Sequence, residues 1–218
     1  MTTTVKICGM RTKETIEAAL ASGASLIGFI FFEKSPRNVT PEEAGRLRRL
    51  IGDRASVVAV TVNADDAVLD RIVDEVKPDY LQLHGGETPE RVRELRARYG
   101  LPVIKVFSIR EAADIEAIQA WRGVADRFLL DAKAPAGSEL PGGNGVSFDW
   151  SLLRALDGDI DYMLSGGLNA GNVRAALETT GARAIDISSG VESAPGVKDS
   201  ALISRFFEKV AAVSQPAA

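Results

Sequence analysis

Two side chains in this sequence have the chemistry to move protons near neutral pH, and each closes an apolar run. Asp131 ends the apolar stretch of RFLLDAK. A carboxyl group against an apolar wall can have its pKa raised enough to act as an acid; the alternative is a carboxylate paired with Lys133 or Lys105. Cys8 ends VKIC. Its thiolate would be a base, whereas a lone buried cysteine otherwise serves as a small apolar filler. Gly166 and Gly167 in LSGGLNAGNV, and Ser188, Ser189 and Gly190 in DISSGVES, lie in small-residue loops that expose backbone N–H groups, the donors a phosphate needs. Two tight turns and a cap are the plainer reading of those loops. Arg37, in EKSPRNVT, offers a planar fork of donors suited to a substrate carboxylate, or is a solvated loop charge. His84, the only histidine, is a neutral hydrogen-bonding group in a supporting role or a satisfied core residue.

These residues can cooperate only if the fold gathers them. Eight short β-rich runs recur: 5–8, 26–31, 57–62, 80–83, 103–107, 128–131, 162–165 and 184–187. Between them lie stretches of helical period such as ETIEAALASG, PEEAGRLRRL, DDAVLDRIVDEV, PERVRELRARYG and NVRAALETTG, several of them ending in a glycine. A spacing of roughly 26 residues between strand starts suits a βαβ crossover without extra subdomains. The pattern predicts a single-domain α/β protein, a closed (β/α)8 barrel over residues 1–213 with a flexible tail at 214–218. An open doubly wound sheet has the same periodicity.

Side chains alternate along a strand, so faces can be assigned. Val5 and Ile7, Leu81 and Leu83, and Ile185 and Ile187 should meet the helices. Lys6 and Cys8, Gln82 and His84, and Asp186 and Ser188 should then point into the barrel, joined by Lys105, Asp131 and Ser165. Lys6, Lys105 and Asp186 suit an interior polar network, with Asp186 near enough to the mouth to bind a sugar hydroxyl. The longer connections Glu33–Thr40 and Lys133–Ser147 would sit on the active-site face as binding loops or lids. An acid and a thiol across a phosphate-holding mouth suggest proton transfers at two positions of a phosphorylated sugar.

Composition narrows the partners. With 26 Lys+Arg against 30 Asp+Glu, the net charge of −4 leaves no electrostatic footprint for nucleic acid. One cysteine cannot form an internal disulfide, and one histidine leaves little for metal centres built on several imidazoles. The start MTTTVKICGM has no signal-peptide pattern, and the longest apolar run, Leu26–Phe32, is too short to span a bilayer. The expectation is a cytoplasmic protein with a small phosphorylated substrate, no cofactor, no metal, no nucleic acid and no membrane.

The segments VKICGM, GFIFFEKSPRNVT, LQLHGGE, FLLDAK, GGNGVSFDW, LSGGLNAGNV and DISSGVESAPGVKD together resemble the phosphoribosylanthranilate isomerase family over almost the whole chain. KICG, SSGVE and PGxKD are the most specific of them. The resemblance implies a (β/α)8 barrel of tryptophan biosynthesis that carries out a cofactor-independent Amadori rearrangement. Its substrate would be N-(5-phosphoribosyl)anthranilate and its product 1-(2-carboxyphenylamino)-1-deoxyribulose 5-phosphate. It also implies Cys8 as general base, Asp131 as general acid and Arg37 as the residue that binds the anthranilate carboxylate. Another phosphosugar barrel enzyme, such as indole-glycerol-phosphate synthase or ribulose-phosphate epimerase, is the alternative within enzymes. A non-catalytic phosphometabolite-binding barrel is the alternative outside them. Oligomeric state, activity on the related histidine-pathway aminoaldose and association with tryptophan-pathway enzymes are left open by the sequence.

Overall fold

Parallel strands β1 (Thr4–Cys8), β2 (Leu26–Phe31), β3 (Ser56–Thr61), β4 (Tyr80–Leu83), β5 (Val103–Ile109), β6 (Arg127–Ala132), β7 (Tyr162–Leu164) and β8 (Ala184–Ile187) pair in sequence order and close into a barrel. The computed structural model describes residues 3–134, 137–138 and 140–214. The closing seam pairs β1 with β8 and sets Lys6 opposite Asp186. Closure removes the alternative of an open sheet.

Helices α1 (Lys13–Ala21), α2 (Pro41–Ile51), α3 (Asp66–Val76), α4 (Pro89–Tyr99), α5 (Ala112–Ile118), α6 (Val173–Thr180) and α7 (Ser200–Ser214) follow the strands. Their starts are written in the sequence. Thr12, Thr40, Asp65 and Thr88 each accept a hydrogen bond from a first-turn N–H, and Thr40 with Glu43 forms a reciprocal capping box ahead of Pro41. Gly100 and Gly181 end α4 and α6 in the left-handed region. Between β6 and β7 the expected α-helix is replaced by a 3₁₀ segment, Trp150–Ala155, capped by Asp149. The long loop after β6 consumes the chain that a full helix would need. A hairpin absent from the expectation, β9 (Glu192–Ala194) with β10 (Val197–Lys198), follows β8. Helix α7 extends through Ser214, the first residue of the expected tail; residues 215–218 lie outside the described part. Among the described residues no helix is long and apolar enough to cross a membrane.

Alternation sorts the apolar residues into two cores. Val5, Ile7, Ile27, Phe29, Val57, Ala59, Leu81, Leu83, Ile185 and Ile187 pack in the layer shared with the helices. Cys8, Leu26, Val58, Val60, Ile104, Val106, Leu129, Met163 and Ala184 fill the barrel. Lys105 corrects the face assignment. Its strand neighbours Ile104 and Val106 point inward, so Lys105 points outward, where its Nζ donates to Glu87 at 2.8 Å and to the Gly85 carbonyl at 2.7 Å. It braces the loop after β4 and takes no part in the interior network.

Gly45 shows packing overriding propensity. A Cβ there would stand 2.6 Å from the Glu75 carbonyl oxygen at the end of α3. Helix propensity alone favours alanine by about 1 kcal/mol, but a backbone carbonyl cannot yield cheaply. Gly45→Ala is therefore expected to lower the melting temperature by several degrees. Gly158→Ala, where a Cβ meets nothing within 4 Å, should leave it unchanged or slightly raised. Thermal unfolding of both variants checks this, and a higher melting temperature for Gly45→Ala would contradict the packing argument.

Candidate active site

The C-terminal strand ends surround a mouth of about 690 Å³, counting its open part. Cys8, Arg37, Gln82, His84, Asp131, Ser165, Gly166, Gly167, Asp186, Ser188 and Ser189 all line it. Strand parity accounts for most of this. Cys8, His84, Asp131, Ser165 and Ser188 sit at or just beyond the strand ends on the inward face, as expected, and a barrel presents that rim to its ligand.

Cys8 is buried at the end of β1. Gly28 on the neighbouring strand makes room for it, since a Cβ at position 28 would lie 3.2 Å from both Cys8 Sγ and Lys6 Cε. Burial pushes the Cys8 thiol up. Lys6 and Lys198 oppose that rise, and the Asp186 carboxylate adds to it. Cys8 is therefore a thiol at neutral pH.

Asp131 pairs with neither Lys133 nor Lys105 among the described residues. Burial, and then the nearby charge of Asp186, raise its pKa to about 7, against the opposing pull of the Ala132 N–H at 2.9 Å. A carboxyl group so placed keeps much of its proton at neutral pH. The loop after β6 covers it: a Cβ on Gly142 would lie 2.6 Å from Asp131 Oδ2 and 2.7 Å from His84 Cε1. Only a glycine allows that approach.

His84 is neutral. Burial, with Lys6 and Lys105 nearby, drives its pKa down to about 4, only partly offset by Glu87. Its Nε2 stands 3.7 Å from Asp131 Oδ2, too far for a hydrogen bond, and with the imidazole uncharged the two do not form an ion pair. Nε2 has no partner among the described residues, and neither does the buried Gln82 Oε1 two residues earlier on the same face. Asp186 lines the mouth while its Oδ1 accepts from Lys6 Nζ at 2.8 Å, the part of the expected interior network that forms without Lys105.

Arg37 is 4 % exposed, so the alternative of a solvated loop charge falls away. Glu192 grips it with two oxygens, accepting from Nε at 2.7 Å and from Nη2 at 2.8 Å. Glu192 and Lys198 are not among the candidates that the sequence singles out. SSGVE and PGVKD carried the signal as motif strings, but nothing local to them points back to Arg37.

The two small-residue loops meet. Gly166 and Gly167 take positive φ of 92° and 61°. A Cβ at Gly190 would stand 1.9 Å from the Leu168 carbonyl oxygen, so glycine lets the loop after β8 lie against the loop after β7. The side chains of Asn169 and Asn172 fix the Gly167 carbonyl at 3.2 and 2.9 Å. A single 3₁₀ turn, Ser189–Val191, begins at the mouth, and the N–H groups of a first turn have no partner within it.

Comparison with known proteins agrees with this arrangement. The family model described as N-(5'phosphoribosyl)anthranilate (PRA) isomerase matches residues 5–209. N-(5'-phosphoribosyl)anthranilate isomerase of Brucella canis is 67 % identical over 213 residues, covering 97 % of this chain and 96 % of the relative. The crystal structure of phosphoribosyl anthranilate isomerase from Thermotoga maritima is 36 % identical with a TM-score of 0.87, covering 97 % of this chain and all of that one. A phosphoribosyl anthranilate isomerase solved in complex with reduced 1-(o-carboxyphenylamino)-1-deoxyribulose 5-phosphate is 33 % identical with a TM-score of 0.82, at coverages of 97 % and 100 %. With barrel, mouth and length of match in agreement, this chain belongs to the N-(5'-phosphoribosyl)anthranilate isomerase family.

Proposed function

We propose that this chain isomerises N-(5-phosphoribosyl)anthranilate to 1-(2-carboxyphenylamino)-1-deoxyribulose 5-phosphate with Asp131 as general acid and Cys8 as general base. The observation that carries the assignment is the pair itself: two proton-holding groups, on the ends of β6 and β1, facing one mouth. Asp131 gives its proton to the furanose ring oxygen as the bond from that oxygen to C1' breaks, and the anthranilate nitrogen becomes a cationic Schiff base. Cys8 takes the proton from C2', and the electron pair left behind neutralises the nitrogen to give an enolamine. Loss of the 2'-hydroxyl proton and protonation of C1' then yield the ketone. Burial keeps Cys8 a thiol, so its proton must first pass to solvent, and the positive charge of the Schiff base and of nearby Lys6 and Lys198 stabilises the thiolate that then takes the C2' proton.

The ligand's two fixed anions go to opposite partners in this reading. Its phosphate is held by Gly166, Gly167, Ser188, Ser189 and Gly190, and its carboxylate by Arg37. His84 and Asp186 contact sugar hydroxyls. The product analogue in the related structure bears, by its name, both a carboxyl group and a 5-phosphate, which supports two anion sites in one mouth. A non-catalytic binding barrel would have no need of a carboxyl group poised near pKa 7 opposite a thiol.

Loss of the anthranilate-type fluorescence of the substrate tests turnover directly. Asp131→Asn should slow ring opening by about 10²-fold or more, the usual scale for a general acid. Cys8→Ala should still allow ring opening but fail to exchange a deuterium label at C2', and Cys8→Ser should recover little, because a hydroxyl ionises far less readily than a thiol. Wild-type turnover in either Asp131→Asn or Cys8→Ala would remove that residue from its role.

The raised pKa of Asp131 also has a stability signature. Its folded value of about 7 lies above the ordinary carboxyl range, so its contribution is fully present below about pH 4 and is lost as pH rises through 7. Asp131→Asn cannot ionise. Its melting temperature relative to wild type should therefore climb between pH 4 and pH 8, by a difference on the order of a few kcal/mol in unfolding free energy. A pH-independent difference would show that Asp131 titrates normally in the fold.

Ser189→Asp places a carboxylate in the phosphate end without requiring a Cβ where none fits. Repulsion between the two anions should raise KM by about 10-fold or more with a smaller effect on kcat. An unchanged KM in the folded variant would move the phosphate elsewhere.

A further inference from the structure

The β9–β10 hairpin lies outside the barrel, yet two of its side chains are among the most deeply buried charges in the protein. Glu192 and Lys198 are 3 % and 2 % exposed, and with Arg37 they form a row of cation, anion and cation. Glu192 Oε1 accepts from Arg37 Nε at 2.7 Å and from Lys198 Nζ at 2.6 Å. Oε2 accepts from Arg37 Nη2 at 2.8 Å and from the Gly196 N–H at 3.2 Å. Lys198 also donates to the Ser188 carbonyl at 3.0 Å and to Ser188 Oγ at 3.2 Å, and that hydroxyl donates to the Cys8 carbonyl at 3.0 Å.

The charge of the row is the informative quantity. An Arg37–Glu192 pair alone would be geometrically complete and neutral, with one fewer charge to bury. Adding Lys198 leaves the row at +1, and burying surplus charge is costly unless something answers it. The surplus has an outlet. Arg37 Nη1 makes no hydrogen bond among the described residues and lies beneath Gly143, where a Cβ would come within 2.6 Å of it, on the wall of the mouth.

We propose that Glu192 and Lys198 are positioning residues for this site: Glu192 fixes the Arg37 fork with its Nη1 edge toward the mouth, and Lys198 cancels the charge of Glu192 so that Arg37 stays a net cation toward the substrate carboxylate. The inference rests on Arg37 being the carboxylate receptor. It adds a requirement of its own, that carboxylate recognition follows the summed charge of three buried side chains rather than the presence of Arg37 alone.

The test is a charge series. Inhibition constants are measured for reduced 1-(o-carboxyphenylamino)-1-deoxyribulose 5-phosphate and for its counterpart without the carboxyl group, and their ratio reads carboxylate recognition separately from phosphate binding. Lys198→Met brings the row to zero and should cut that ratio by about 10- to 100-fold, the scale of one charge a few ångströms away at intermediate dielectric. Lys198→Gln, which keeps donors for Ser188, should lose a similar amount. The double variant Lys198→Met with Glu192→Gln returns the row to +1 and should recover most of the ratio. Glu192→Gln alone brings the row to +2, so the ratio should not fall, but kcat should drop because the fork has lost its anchor. A merely structural role predicts the reverse, with the double variant at least as impaired as either single one and both ligands weakened equally; that result overturns the proposal, as does wild-type discrimination in Lys198→Gln. Arg37→Met separates the two layers of the argument. If it keeps the ratio, the reading of Arg37 itself fails; if it loses the ratio while the Lys198 variants keep it, only the charge-compensation proposal fails.

Discussion

Lys6 and Asp186 face each other across the seam where β1 meets β8, 2.8 Å apart and nearly sealed from water. An ion pair in such a place gains little net stability over a well-packed apolar pair, but leaving either partner alone would be severely unfavourable. It therefore acts as a register pin: a slip of either strand by one residue would turn its charge toward the helix layer and leave the other buried alone. Two residues further along the same strands come Cys8 and Ser188, and the Ser188 hydroxyl donates to the Cys8 carbonyl at 3.0 Å. The thiol, the edge of the small-residue loop after β8 and the bottom of the mouth are all located by that one pairing.

The same carboxylate reaches into the chemistry. Asp186 contributes to the raised pKa of both Asp131 and Cys8, while Lys6 opposes both rises and helps keep His84 neutral. One buried pair thus biases three titratable groups, and burial decides the outcome in each case. A partly protonated carboxyl, a thiol and a neutral imidazole make a working surface of little charge. The lasting charges of the mouth are displaced to its rim and floor, in the row built on Glu192 and in the seam pair. A substrate that brings its own two anions meets a site with little charge of its own to repel them.

Much of this was legible in the sequence because strands have a period of two and helices announce their starts. Lys6, Cys8, Gln82, His84, Asp131, Ser165, Asp186 and Ser188 all face as alternation dictates. Lys105 does not, because VIKVF has apolar residues on both sides of the lysine and barrel strands bury both faces, so the pattern itself carries no direction. The 3₁₀ segment after β6 looked like part of a regular repeat until the long loop had to be accommodated. The grip of Glu192 on Arg37 joins residues 155 positions apart through a hairpin of a few residues, and neither strand of it is long enough to show a period. Single-residue chemistry and strand parity could be read; the pairing of distant charges could not.

Gly142 connects acidity to the state of a loop. The atoms that keep water from Asp131 belong partly to the rigid barrel and partly to the segment after β6, whose backbone comes so near the carboxyl that no side chain would fit between them. Hydration is what sets an ordinary carboxylic acid near pKa 4, and its removal is what lifts Asp131 toward 7. Proton-donating power is therefore a property of the site that Gly142 helps to cover and not of the carboxyl alone.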